Sequence, residues 1–160
     1  MNETQIFPLP PTAMLKAVHL QMKDLFAQYN GLGAEEGEAK RGVFHEIQEG
    51  LRIHLEIEEV LFYPAVQGMQ ADLAVSVVLK AVQAHRQVKA LLEQLRALDS
   101  IDGSLDVTMA DLQRCVLSHL EVEETEIFPH ARALPVETQR ELSLEMEKLQ
   151  DRLRKNPGGR

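Results

Sequence analysis

The sequence predicts an all-α protein, an antiparallel up-down-up-down four-helix bundle with an extra C-terminal helix. Composition, apolar stripes at helical spacing and an internal repeat predict it. Hydrophobic residues make up 44% of the 160 residues and aromatics only 4%, so the core has to be built on aliphatic seams between helices. A chain of this length fits one domain that buries a core without disulfides. The expected organisation is an N-terminal arm over 1–11, the bundle over 12–130, and a C-terminal helix and tail over 131–160.

Ile6 to Pro11 is rich in proline and reads as an extended arm. Thr12 then suits the cap of a first helix that runs to about Asn30, stopped by Asn30-Gly-Leu-Gly33. A second helix, from about Glu38 to Tyr63, carries Ile47, Leu51, His54, Glu58 and Leu61 on one stripe, and Pro64 is expected to end it. A third, about Ala71 to Leu98, lines up Val78, Ala81, His85, Val88, Leu92 and Leu95, and Asp99-Ser-Ile-Asp-Gly103 supplies a turn. The fourth follows Ser104 to Phe128, with Leu112, Cys115, His119, Val122 and Glu126 or Ile127 inward. Pro135 suits the first turn of a fifth helix whose apolar face is Leu142, Met146, Leu149 and Leu153 and which ends before Asn156-Pro-Gly-Gly. That helix either caps the bundle or forms a homodimer contact. Short connections between long amphipathic helices make neighbours antiparallel.

The repeat gives the bundle two halves. His54-Leu-Glu-Ile-Glu-Glu-Val-Leu-Phe-Tyr-Pro64 aligns without gaps on His119-Leu-Glu-Val-Glu-Glu-Thr-Glu-Ile-Phe-Pro129, and His19-Leu-Gln-Met-Lys23 is echoed by His85-Arg-Gln-Val-Lys89. Each half is a helical hairpin with one lone His and one His-x-x-x-Glu-Glu, a pattern of two pseudosymmetric units rather than an open array. Residues four apart on a helix lie one above the other, so His54 with Glu58 and His119 with Glu123 each aim an imidazole and a carboxylate at one point. Both pairs lie on apolar stripes. A buried ionised carboxylate costs several kcal/mol or more unless paired or bound to a cation, so Glu58 and Glu123 need a partner that a metal ion would supply. Taken singly, an inward His is more often a hydrogen-bonded core residue and a His-x-x-x-Glu a surface pair. Four helices that agree on one level favour a metal site.

Other classes are disfavoured. A formal charge of -8 leaves no basic stripe to neutralise phosphates, so nucleic acid and anionic membrane surfaces are poor partners. The single cysteine, Cys115, excludes an intrachain disulfide and a thiolate cluster. The sequence shows no signal-peptide pattern and no apolar run near the roughly 18 residues of a membrane span, from which a cytoplasmic location is expected.

The doubled His-x-x-x-Glu-Glu followed by Phe and Pro resembles the hemerythrin-like, or HHE cation-binding, family over about residues 12 to 130. That resemblance implies an oxo- or hydroxo-bridged centre of two iron ions, with His19, His54, His85 and His119 as terminal ligands and Glu58 and Glu123 bridging. Residue type alone also admits zinc or manganese. Oxygen-carrying members have His-x-x-x-His on the third helix, whereas this chain has Lys89 four residues after His85. With five ligands per iron, both ions keep an open position. That set is similar to the iron-centre repair members of the family, whose cysteine-bearing N-terminal segment this sequence does not show.

The expectation is therefore a non-haem di-iron protein that binds or reacts with dioxygen, nitric oxide or peroxide. The alternatives are a metal- or oxygen-dependent sensory module without turnover, and a structural bundle whose His and Glu satisfy one another. No catalytic residue is assigned. Glu59, Glu124 and Glu126 read as solvated neighbours before extra ligands, Lys23 and Lys89 as side chains extending to solvent, and Cys115 as a small core residue. His45 falls on the opposite helix face and His130 in a loop, so neither is expected at the site.

Overall fold

The structure is a computed structural model that describes residues 7–68, 72–98 and 103–158, with the side chains of 72–74 and 103–104 outside the description. Residues 1–6 of the expected arm, Ala71, the expected turn over 99–102 and the last two tail residues also lie outside it. Helix α1 spans Pro11–Gly31. Helix α2 begins as Gly37–Ile57, widens into a π-helical turn at Glu58–Phe62 and finishes as Tyr63–Gly68. Helix α3 is Asp72–Ala97. Helix α4 runs as Gly103–Val122, a π turn at Glu123–Ile127 and Phe128–Arg132, and α5 is Val136–Lys155. No strand occurs among the described residues.

One end of the bundle collects Leu15 from the start of α1, Phe62 and Val66 from the end of α2, Val78 and Ala81 from the start of α3, and Phe128 and Ala131 from the end of α4. The other end collects Phe26, Leu51, Leu95 and Leu112. Alternate helices thus run up and down, as the short connections require. The core is two apolar clusters, and the lone His and His-x-x-x-Glu residues fall between them on α1 to α4.

Two expectations about proline are corrected. Thr12 does not cap α1: the N-cap is Pro10, Pro11 occupies the first turn where its missing N–H is harmless, and Thr12 is buried. Nor does Pro64 end the second helix, which continues to Gly68. A proline inside an α-helix clashes with the carbonyl four residues back and has no proton for it. Here the turn before it is widened, with the Tyr63 N–H bonded five residues back to the Glu58 carbonyl, and the demand for that bond is gone. Pro129 follows the equivalent turn, where the Phe128 N–H reaches the Glu123 carbonyl.

Each π turn inserts one residue and advances the inward face by one position. Beyond Glu58 the buried residues are Phe62, Tyr63 and Val66, with the expected Leu61 only half-buried. Beyond Glu123 they are Ile127, Phe128 and Ala131, while Glu126 is exposed. On α4 the fully buried stripe is Leu112, Val116 and Leu120, and Cys115 and Val122 are half-buried beside it.

Helix α5 lies across α1 and α2. Leu142, Met146 and Leu149 are buried in the cluster that also holds Leu15 and Phe62, with Leu153 packed against it, so α5 caps the bundle. What it leaves outside includes Val136 and Leu144. Ser143, buried on α5, donates to the Leu9 carbonyl at 2.7 Å and ties the arm down.

If α5 belongs to the same cooperative unit as the bundle, Met146→Ala will lower unfolding free energy by about 2–5 kcal/mol in a urea melt, the range for emptying a buried Met site. A change below about 0.5 kcal/mol would mean that α5 is only loosely laid on.

Candidate metal centre

His19 comes from α1, His54 and Glu58 from α2, His85 from α3 and His119 and Glu123 from α4, and all six are buried between the two apolar clusters. The ligating atoms fall into two groups. His19, His54, Glu58 and Glu123 form one, and Glu58, His85 and His119 the other, each with atoms within 4.8 Å of one another. Glu58 belongs to both. Its Oε1 is 2.8 Å from His54 Nε2, while its Oε2 is 3.0 Å from His85 Nε2 and 3.5 Å from His119 Nε2. Glu123 Oε2 stands between the halves as well, 3.4 Å from His19 Nε2 and 3.6 Å from His119 Nε2.

These contacts do not amount to a satisfied hydrogen-bond network. His19 Nε2, both ring nitrogens of His54, Glu58 Oε1 and both oxygens of Glu123 are buried without a hydrogen-bond partner. The 2.8 Å approach of His54 to Glu58 is close but not aligned as a bond. Two donors at right angles, each about 2.1 Å from one ion, stand about 3 Å apart. The pairs His85 to His119 at 3.1 Å and His85 to Glu58 at 3.0 Å have that spacing. Imidazole nitrogen and carboxylate oxygen also suit iron, zinc and manganese, so the donor set fits a metal pair.

Electrostatics give the same answer. Burial pushes the Glu58 carboxyl up, yet His54, His119 and His85 around it hold it well below the usual carboxylate range. Burial and the Glu58 charge push Glu123 well above that range, because two adjacent carboxylates without a cation cannot both ionise. Burial, and then the His54 ring, push His19 down to about 4, and burial also lowers His119. Neutral imidazoles with free lone pairs result, the form that binds a metal.

The second Glu of each pair stands outside both groups and is not merely solvated, which corrects the sequence expectation. Glu124 Oε1 accepts from His19 Nδ1 at 2.8 Å, and Glu59 Oε1 from His85 Nδ1 at 2.8 Å. A carboxylate only accepts, so Nδ1 carries the proton in both rings and Nε2 turns its lone pair to the centre. Both carboxylates stay ionised against their partial burial, Glu59 through Lys89 and His85, Glu124 through Lys16 and His19. Lys89 Nζ donates to Glu59 at 3.0 Å, whereas Lys23, its counterpart, is 3.9 Å from Glu124, which Lys16 bonds instead. The doubled Glu in both copies was the available signal for this role. Tyr63 was missed entirely: its hydroxyl lies 3.2 Å from both Glu58 Oε2 and His85 Nε2. Its position was hidden by the π turn.

His45 is exposed, His130 lies outside both ligand groups, and Cys115 packs beside the far apolar cluster. A cavity of about 420 Å³ between α1, α2 and α5 has His54 in its wall beside Leu15, Met22 and Met146, with Glu46, Glu49 and Arg154 also lining it.

A bundle with a lone His and a His-x-x-x-Glu from each half, gathered at one level, defines a cation-binding four-helix class. The sequence matches the family profile described as the hemerythrin HHE cation binding domain over residues 11–131, and the chain belongs to that family. Its fold is similar to the crystal structure of a hemerythrin HHE cation binding domain-containing protein from Mycobacterium kansasii, described as an Rv2633c homolog. The TM-score is 0.80, the identity 22%, and the match covers 92% of this chain and 88% of that one. No curated protein matches the sequence significantly. No helix among the described residues is long and apolar enough to cross a membrane.

Two measurements check the electrostatic account. Glu59→Gln and Glu124→Gln each weaken metal binding by about 10- to 100-fold in chelator competition, as loss of an orienting carboxylate does; unchanged affinity would reduce them to surface residues. In metal-free protein, the protonated Glu123 contributes stability that is present below the ordinary carboxylate range and lost as pH rises through its raised value. Glu123→Gln is therefore expected to stabilise the metal-free chain at pH 7.5, and a destabilised variant would show that Glu123 is already compensated.

Proposed function

We propose that the chain is a non-haem di-iron protein in which His19, His54, His85 and His119 are terminal ligands, Glu58 and Glu123 bridge two iron ions, and a small molecule such as dioxygen, nitric oxide or peroxide binds there. The observation that carries this reading is the sharing of Glu58 between two groups of buried potential ligands, the first of which leaves His19 Nε2, His54 Nε2, Glu58 Oε1 and both Glu123 oxygens without hydrogen-bond partners. Two trivalent or divalent cations would let both carboxylates ionise at once, whereas without them burial and the Glu58 charge keep Glu123 protonated. When bound, the iron pair would supply redox chemistry and open coordination positions for the small molecule.

The rest is the work of the chain's own residues. Glu59 and Glu124 hold the His85 and His19 rings with Nε2 inward. Phe62, Ile127 and Phe128 on one side and Leu51, Val88 and Leu120 on the other keep bulk water from the level of the centre.

A second reading, a metal- or oxygen-dependent sensory module without turnover, draws on one observation: α5 packs directly on the π turn that carries Glu58. Occupancy of the site could then alter how firmly α5 is held. Equal hydrogen exchange along α5 in metal-free and loaded protein would remove that reading.

Anaerobic loading with ferrous iron, followed by air, tests the main proposal. The expected result is two iron ions per chain and an oxo-bridge charge-transfer band in the near-ultraviolet. Uptake should fall steeply at acid pH as protons compete for imidazole and carboxylate. A preparation that stays colourless and binds zinc in preference to iron would rule out the di-iron assignment.

A further inference from the structure

The histidines and glutamates of the two halves match one for one, but the aromatic residue before each proline does not. His19 pairs with His85, His54 with His119, Glu58 with Glu123 and Glu59 with Glu124, but Tyr63 stands opposite Phe128 in the repeat. The π turns rotate both rings into the core, at 2% and 1% exposure. Phe128 stacks on His19, with centroids 5.6 Å apart and planes at 16°. Tyr63 lies over His85 at 5.4 Å and adds what Phe128 lacks, a hydroxyl 3.2 Å from both His85 Nε2 and Glu58 Oε2.

Packing does not call for that hydroxyl. A phenylalanine fills the equivalent space in the other half, and burying an O–H is unfavourable unless it finds an acceptor. Glu58 Oε2 accepts the proton at 3.2 Å, and His85, whose own proton on Nδ1 is committed to Glu59, offers Nε2 as a second acceptor, so Tyr63 acts here only as a donor. A metal held by those two atoms would take up their lone pairs and leave the O–H to another acceptor on this side.

We infer that Tyr63 makes the two metal positions unequal and selects the one held by His85 and His119 for an exogenous ligand, by donating its O–H to an acceptor atom of that ligand. Resting on the di-iron reading above, the inference adds which half receives the ligand and which ligands are favoured: small species with a lone pair facing the hydroxyl, such as azide or a reduced oxygen species. Tyr63 is a positioning residue here and transfers neither a proton nor an electron. On the half held by His19 and His54 the equivalent ring is Phe128, which stacks on His19 and carries no hydroxyl.

The experiment uses the full chain loaded with iron, oxidised to the ferric state and titrated with azide, with iron content read first. Tyr63→Phe should keep two irons per chain and weaken azide binding about five- to tenfold, the factor one ordinary hydrogen bond supplies. In the ferrous protein, two resolved Mössbauer doublets in the wild type should move together in the variant, a change that mere loosening of the fold would not produce. Phe128→Tyr, which gives the second half its own donor, should tighten azide binding or raise its stoichiometry. Unchanged azide affinity in Tyr63→Phe, or loss of iron from it, overturns the inference while leaving the di-iron reading intact. Absence of iron from the wild type overturns both.

Discussion

The structure depends on two carboxylates held side by side where water does not reach. Glu58 and Glu123 are both fully buried, and between them the surroundings ionise one and leave the other neutral. A bundle of this size could have run its aliphatic seam straight through that level. Instead every long helix of the bundle interrupts the seam with a polar residue at the same height, and the donor atoms left over have no partners within the protein. Cations in that layer would let both carboxylates ionise and would give the leftover atoms partners, so metal binding is expected to add to the stability of the fold.

The surroundings serve that layer. Dry clusters above and below fix the six side chains by packing, while Glu59 and Glu124 fix the ring orientation of the two lone imidazoles from the opposite hairpin. Each hairpin therefore carries the carboxylate that orients the other hairpin's lone His, and neither half is complete alone. The π turns complete the arrangement. They begin at Glu58 and Glu123 themselves, make room for Pro64 and Pro129, and bring the aromatic residues before those prolines over the imidazoles.

Helix number, direction and the level of the site were legible from the sequence because they depend on apolar periodicity and on a repeat that survives without gaps. His19, His54, Glu58, His85, His119 and Glu123 could be picked out for the same reason: charged or polar residues on apolar stripes are conspicuous. What could not be read was whatever depends on a departure from regular α geometry. A strict 3.6-residue period continues past Glu58 to Leu61 and treats Pro64 as a terminator, so Tyr63 was placed at a helix end rather than in the centre. Glu59 and Glu124 were misjudged because their partners lie on another helix, and spacing along one chain segment carries no information about that. Residue type alone makes Thr12 a cap, but the prolines before it already start the helix without one.

The central claim is that two cations sit on either side of the Glu58 carboxylate. Anomalous diffraction at the iron edge from crystals of iron-loaded protein measures it most directly. The account predicts two peaks of comparable height, one beside His19 and His54 and the other beside His85 and His119. A single peak, or a map with none at the level of Glu58, would contradict it.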